Sequence, residues 1–387
     1  AVEGWPSTAE SLMEDTLEHE EHFWLTHLHP TLQTDRERRL FKERARRAVT
    51  AVTLTGGITH RSQAETLLSR VTGSRDDALL LLLHDIYPGT RRGVEHAYLS
   101  GLEPDLLGEA MVLRTLKRES DASLSLLAQV FDGADERALR TGFEVMGRIS
   151  VHYANEASHW IASMLDRDVE GRAVAAFEAE KAVGQQTPHS ILGMQLAAAL
   201  EQKGTFELAS RLEKHGLPQD TVSLREVVSW VTSTILRKLP TEGGPALLAE
   251  RASRLNDLGI MQRDLGQYEA ACTTAQEAVN CYRKLASIRP NLFLPELARS
   301  LNNLSNRQLE LGQYTAALSS SQESVEIRRN LNNTHPGIYL SGLAASLNAL
   351  GGCHTKMGQY EEALKALQEA VGIKRELAKL APDLLPD

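Results

Sequence analysis

A 46-residue period governs what this chain can fold into. The phrase Leu265-Gly266-Gln267-Tyr268-Glu269-Ala270-Ala271 returns as Leu311-Gly312-Gln313-Tyr314-Thr315-Ala316-Ala317 and again as Met357-Gly358-Gln359-Tyr360-Glu361-Glu362-Ala363. A fixed period of this length marks a solenoid, in which no unit buries its own apolar face and each leans on its neighbour. Such a stretch is built to present a surface.

The repeats predict helix pairs. Leu255 with Leu258, Leu301 with Leu304, and Leu347 with Leu350 supply an apolar stripe at helical spacing on the first helix of each unit. Small residues recur where paired helices must cross closely: Gly259, Ala271 and Ala278, then Ser305, Ala317 and Ser324, then Gly351, Ala363 and Ala370. Gly266, Gly312 and Gly358 are expected to end the first helices in the left-handed conformation, with Tyr268, Tyr314 and Tyr360 filling the space beside each turn. Pro290, Pro336 and Pro382 share the period and are expected to end the second helices, with the next repeat starting after Glu296 in the first case. The seam at Pro382 and the absence of an initiator Met predict a stretch of a longer protein.

Helix is expected nearly everywhere else. A capping box, Thr34 with Glu37, opens one helix, and Ser223-x-x-Glu226 opens another. Glycine and proline clusters at Gly56-Gly57, Asp132-Gly133, Gly216-Pro218 and Gly243-Gly244-Pro245 punctuate the chain. An all-α fold follows: an irregular helical domain over 1–135, a transitional helical region over 136–245 with a degenerate repeat at Leu200, Gly204, Phe206 and Ala209, and a solenoid of three repeats over 246–387. Cys272, Cys281 and Cys353 are too far apart for a paired-thiol metal site and read as small core residues.

The wording Ser300-Leu301-Asn302-Asn303-Leu304 with Leu311-Gly312-Gln313-Tyr314 resembles the tetratricopeptide repeat in its longer kinesin-light-chain-type variant, over roughly 248–387. That resemblance implies a right-handed superhelix of helix pairs that binds protein. Three stretches upstream, His19-Glu20-Glu21-His22-Phe23-Trp24, Leu83-His84-Asp85-Ile86-Tyr87-Pro88 and Leu102-Glu103-Pro104-Asp105-Leu106-Leu107-Gly108-Glu109, resemble the segment after the nucleotide-binding core in bacterial STAND (NACHT or NB-ARC type) ATPases. Leu217-Pro218 with Thr221-Val222-Ser223-Leu224 is similar to the opening of their repeat arrays. The resemblance implies an upstream ATPase domain in the parent protein, a ligand sensed by the repeats, and a role in signal transduction or bacterial defence. The chain itself has no Gly-x-x-x-x-Gly-Lys-Ser/Thr loop to cradle phosphates. Ala78 to Asp85 therefore reads as a buried helix rather than a magnesium-holding strand, and no cofactor is expected.

Other chemistries fare less well. His19, His22, His27 and His29 surround Phe23 and Trp24, but the string is not His-Glu-x-x-His, and an amphipathic helix packed through its aromatics is the expectation over a metal site. The basic run Arg36, Arg38, Arg39, Lys42, Arg44, Arg46 and Arg47 alternates with Asp35, Glu37 and Glu43, which predicts intrahelical pairing on a solvated face rather than nucleic-acid binding. The net charge of −9 also argues against nucleic acid and anionic membrane as partners. No apolar run is long enough to span a membrane. No catalytic constellation is discernible, so the chain is not expected to be an enzyme, and a cytoplasmic address is expected.

The best candidate site is an asparagine ladder. Asn256, Asn302 and Asn348 recur at the repeat period, one residue after an apolar Leu. An amide offers donor and acceptor together and suits the main chain of an extended peptide. Arg299, Asn303 and Asn306 are expected on the same wall. The leading expectation is thus a non-catalytic sensor that holds a protein or peptide in a concave groove. The alternative is a stand-alone repeat scaffold that regulates a partner enzyme such as a caspase-like protease.

Overall fold

The computed structural model describes residues 7–28, 34–89, 97–102, 105–119, 122–187, 189–218 and 222–380. The described residues are all-α, with no strand beyond two isolated bridges that Leu99 makes to Ile58 and Pro88. In order, the helices are α1 (Ser7–Leu28), α2 (Asp35–Leu54), α3 (Arg61–Thr72), α4 (Asp77–Ile86), α5 (Asp105–Glu119), α6 (Ser123–Val130), α7 (Glu136–Ser150), α8 (Ala154–Asp166) and α9 (Val169–Gln186). They continue as α10 (Leu192–Lys203), α11 (Phe206–Lys214), α12 (Arg225–Lys238), α13 (Pro245–Asp264), α14 (Tyr268–Ile288), α15 (Pro290–Glu310), α16 (Tyr314–Thr334), α17 (Leu340–Lys356) and α18 (Tyr360–Leu380).

The chain divides into two compact units, Ala1–Trp230 and Val231–Asp387. The cut lies inside α12, not near 135 or 245, where glycine punctuation suggested boundaries. In the first unit α7 explains why 135 is no boundary. Its Leu139, Phe143, Val145, Met146 and Ile149 are buried, and it packs on α2 and α5 before it as well as α8, α9 and α10 after it. Gly142 lets this happen, because a Cβ there would stand 2.3 Å from the Phe131 ring. α9 is buried with it over most of its length, through Val169, Ala173, Val174, Ala175, Ala176, Phe177, Ala179 and Val183, and also buries Arg172 and Glu180.

The capping box forms as the sequence predicts: Glu37 N–H donates to Thr34 Oγ1 at 3.3 Å, and Thr34 N–H donates to Glu37 Oε2 at 2.8 Å. The run from Ala78 to Asp85 lies in the helix α4, with Leu79, Leu80, Leu82 and Leu83 buried. Ser223 does not open α12, which starts at Arg225; it stands beside the buried Glu180 instead. Gly204 differs from the repeat glycines too, with φ outside the positive region; its missing Cβ makes room for the Trp230 ring, 2.3 Å from where that atom would be. α10 and α11 each pack on α9, rather than on each other as a repeat pair would.

The second unit stacks helix pairs in sequence order, α13 with α14, α15 with α16 and α17 with α18, each second helix also packing on the first helix of the next pair. Gly266, Gly312 and Gly358 adopt φ of 73°, 71° and 74°, as left-handed terminators should. Ala271, Ala278 and Ala317 are fully buried at the crossings, and Ser305 Oγ donates to Ala317 O at 2.9 Å. Two sequence expectations need correction. Tyr268, Tyr314 and Tyr360 stand exposed at the starts of the second helices instead of filling a gap. Pro290 begins α15 as well as following α14, and Pro295 lies inside α15, so the helix that carries the new repeat starts six residues before Glu296. Proline is tolerated at a first-turn position because its missing N–H would have no partner there. The last of the period prolines, Pro382, lies outside the described residues.

Candidate functional site

The first helices α13, α15 and α17 each expose one stripe. On α13 it carries Glu250, Ser253, Asp257, Ile260 and Asp264; on α15, Arg299, Asn303, Asn306 and Glu310; on α17, Ser341, Ala345, Asn348 and Gly352. Charge thus fades along the array from acidic to neutral.

The predicted asparagines divide between this surface and the core. Asn256 is not ligand-facing, a correction to the ladder: it is 2% exposed, and its Nδ2 donates to Ser300 Oγ at 2.8 Å while Ser300 Oγ lies 3.1 Å from its Oδ1. It latches α13 to α15. Asn302, its counterpart, is half-buried, and its Oδ1 is buried with no hydrogen-bond partner. The reason lies in a neighbour. Ser346 is placed to play the part of Ser300, but the Ser324 hydroxyl donates to Ala298 O at 2.8 Å and shares a 2.8 Å hydrogen bond with Ser346. With the Ser324 proton committed, Ser346 supplies its own proton to that bond and has none left for Asn302 Oδ1. The first repeat has Ala278 at the position of Ser324, so Ser300 stays available to Asn256. Asn303, Asn306 and Asn348 are half-buried, with no side-chain hydrogen bond among the described residues.

Arg299 is exposed and anchored by Glu296, with Nη2 to Oε2 at 2.7 Å. Asp257 on α13, Tyr282 on α14 and Arg328 on α16 feel the same charges. Burial pushes the Asp257 carboxyl up, and Arg299 and Arg254 pull it back. Burial and then Glu296 push the Tyr282 hydroxyl up, against Arg299. Burial lowers Arg328, whose Nη2 donates to Pro295 O at 3.3 Å. Gly342 leaves it room, since a Cβ there would meet the guanidinium at 1.9 Å. This cluster gives the face a fixed dipolar patch.

In the first unit the basic run is spent on structure, but mostly between helices rather than within α2. Arg46 bonds Glu21 of α1 at 2.5 and 3.1 Å, Lys42 lies 3.8 Å from the same carboxylate, Arg44 reaches Asp76 at 3.5 Å, and Arg47 reaches Glu119 at 2.9 Å. Arg38 pairs inside its helix, with Asp35 at 4.0 Å. Among the aromatics of α1, Trp24 is fully buried and Phe23 is exposed, so one ring carries the packing. His19, His22 and His27 are exposed, and no group of three metal-ligating side chains comes together among the described residues. His29 lies outside them. No helix among the described residues is long and apolar enough to cross a membrane. Cys272, Cys281 and Cys353 are free thiols, two buried and Cys272 half-buried.

Residues 251–289, 297–337 and 343–381 match the model of the tetratricopeptide repeat. The three helix pairs are tetratricopeptide repeats, a scaffold that implies protein–protein interaction. No curated protein matches the chain. Among solved structures, BtubC (BKLC) from P. vanneervenii is 16% identical over 65% of this chain and 92% of its own, with a TM-score of 0.34. An IFIT1 monomeric mutant with Gppp-AAAA is 11% identical over 89% of this chain and 96% of its own, with a TM-score of 0.19. Neither superposition is close enough to carry an argument.

Proposed function

We propose that the chain is a non-catalytic recognition module that holds a protein or peptide along the exposed stripe of α15 and α17, through Arg299, Asn303 and Asn306 with Asn302 and Asn348 at its edge. The observation that carries this is unspent hydrogen-bonding capacity. Among the described residues, four amides on two successive first helices have no side-chain partner, and the buried Oδ1 of Asn302 has none at all. A buried acceptor without a donor costs about 1–3 kcal/mol, which a bound N–H recovers once the Asn302 amide turns out to meet it. Asn256 is left out of this site, because its amide is occupied.

The parent role we infer is the sensor part of a STAND-like signalling or defence protein in the cytoplasm, with the ATPase domain upstream. The support is local. Two of the stretches that resemble that family meet in the first unit, where Trp24 Nε1 donates to Tyr87 Oη at 2.7 Å and Tyr87 Oη donates to Glu20. Burial, and then Glu20, push the Tyr87 hydroxyl far up, so it stays protonated as the donor that joins α1 to the end of α4.

Two experiments separate these claims. Proteins captured by the full chain are compared with those captured by the triple variant Asn302→Ala, Asn306→Ala, Asn348→Ala. The reading requires specific partners to drop by tenfold or more while the melting temperature holds. Equal capture by both ends the groove assignment. The gene upstream of this segment is then sequenced, and the absence of a phosphate-binding loop there ends the STAND reading alone.

A further inference from the structure

Two glycines of the first unit make room for the same residue. A Cβ on Gly193 of α10 would stand 1.9 Å from the Ser223 carbonyl oxygen, and a Cβ on Gly184 of α9 would stand 2.6 Å from the Ser223 hydroxyl. The pair thus forms a slot that Ser223 occupies from the stretch just before α12. Glu180 shares that slot. It is fully buried on α9, and its Oε1 lies 3.1 Å from the same Gly184 position, so the acid and the hydroxyl converge there.

The two serines that meet this acid are held unequally. Ser190 donates to Glu180 Oε2 at 2.8 Å, and its loop is pinned where Ile191 N–H donates to Ser150 Oγ at 3.1 Å and Leu192 N–H donates to Ser190 Oγ at 3.2 Å. The backbone bonds around Ser223 run forward instead, from Arg225 N–H to Val222 O at 3.4 Å and from Val228 N–H to Leu224 O at 2.9 Å. Leu224 is buried and Val222 exposed, so Val222 and Ser223 are the part of the wall free to lift. Nearby charges are spent on one another: Lys181 pairs with Glu178 at 3.1 Å and donates to His215 O at 3.0 Å, and His215 Nδ1 lies 3.3 Å from Glu178. α7, α8, α10 and α11 pack on α9, yet among the described residues no charged group of theirs acts on Glu180, which feels burial and the hydroxyls of Ser223 and Ser190.

We propose that Glu180 is a proton-gated latch on the start of α12: with its proton the carboxyl holds Ser223 in the glycine slot, and on losing that proton to solvent it releases Val222 and Ser223. The acid form accepts from Ser190 through Oε2 and donates to Ser223 through Oε1. The anion is a buried charge with no cation beside it, which is costly until water reaches it. Lifting Val222 and Ser223 admits that water, and Leu224 keeps the opening local. The sign follows from burial, which pushes the carboxyl up: the closed latch is favoured at low pH and weakens as pH rises through the raised value. α12 carries the boundary between the two units after Trp230, so the latch acts on a helix that both share.

Hydrogen exchange of the full chain, read by mass spectrometry between about pH 5 and pH 8 and divided by the intrinsic rates, tests this. Protection over 222–228 should fall with rising pH by at least about threefold more than protection in α7. Glu180→Gln, neutral at every pH and shaped like the acid, should hold 222–228 protected throughout. Gly193→Ala pushes the Ser223 carbonyl out of the slot and should open 222–228 at every pH while α7 stays protected. Protection over 222–228 that ignores pH in the parent, or a Glu180→Gln variant that follows the parent's profile, would overturn the latch. So would a loss shared equally by α7, which would belong to the stability of the whole unit, or a Gly193→Ala variant that exchanges like the parent.

Discussion

Asn256 and Asn302 occupy one position in consecutive repeats and meet opposite fates, because Ala278 in one repeat is Ser324 in the next. Their substitution should therefore differ in effect. Asn256→Ala leaves Ser300 buried beside an empty space and should cost roughly 1–3 kcal/mol. Asn302→Ala removes an acceptor that was never satisfied and should be neutral or stabilising. Denaturant unfolding of the two variants, compared at constant m-value, decides it; a larger loss at Asn302 would mean the seam hydrogen bonds are misassigned. The period showed that the amides recur, and it showed their helix. It did not show which were spent, because that is set by one hydroxyl on a different helix, 22 residues from its Ser346 partner. For the same reason the expected ladder is legible as a row of positions and not as a row of equal environments.

Helices were most legible where a backbone device marks them. Gly266, Gly312 and Gly358 end α13, α15 and α17 through positive φ, and Thr34 with Glu37 caps α2. Boundaries set by packing were not legible: Ser223 stands against Glu180 instead of capping α12, and the basic edge of α2 reaches to other helices. These contacts carry consequences. Glu21 of α1 has a side chain only 3% exposed and takes Lys42, Arg46 and Arg114, so Glu21→Ala strands Lys42 and Arg46 and leaves Arg114 to Glu14, 3.1 Å away. Removing one partner of a buried ionic cluster costs roughly 3–5 kcal/mol. Hydrogen exchange should show α1 losing protection before the rest of the first unit, and a variant with unchanged protection would refute the clamp. Glu180 on α9 is a fully buried acid with no cation among its partners. Burial pushes its carboxyl up from 4.5, against hydrogen bonds from Ser223 and Ser190. Its folded form therefore holds a proton more tightly than the unfolded chain, and stability drains as pH rises through the raised value. Glu180→Gln should melt higher than the parent at pH 8, with the gain shrinking towards pH 4. A gain that grows on acidification would reverse the assignment.

The repeat unit behaves as a one-dimensional stack, so the apolar content of each seam sets the order in which it opens. The seam around α14 is rich: Val279, Tyr282, Leu285, Leu297, Leu301 and Leu304 are buried together, and Leu236 and Leu248 join them. Arg251 closes its upstream edge by donating to Leu236 O at 2.8 Å and Leu239 O at 2.9 Å, the free carbonyls at the end of α12. The seam between α16 and α17 is poorer. There Ser305, Ser321, Ser324 and Ser346 are buried beside Cys353, and the apolar cluster that α17 and α18 share with Val325 is smaller, with Ala344, Ala366 and Ala370 beside Leu343, Leu347 and Ile373. Buried hydroxyls that satisfy one another hold geometry but add little net stability, whereas each buried aliphatic side chain contributes roughly 1.5–3 kcal/mol. Opening should begin at α17 and α18 and reach α13 and α14 last. Amides of α17 and α18 should exchange at least tenfold faster than those of α14, a gap of about 1.4 kcal/mol. Exchange that starts at α13 would show that seam composition does not set the order.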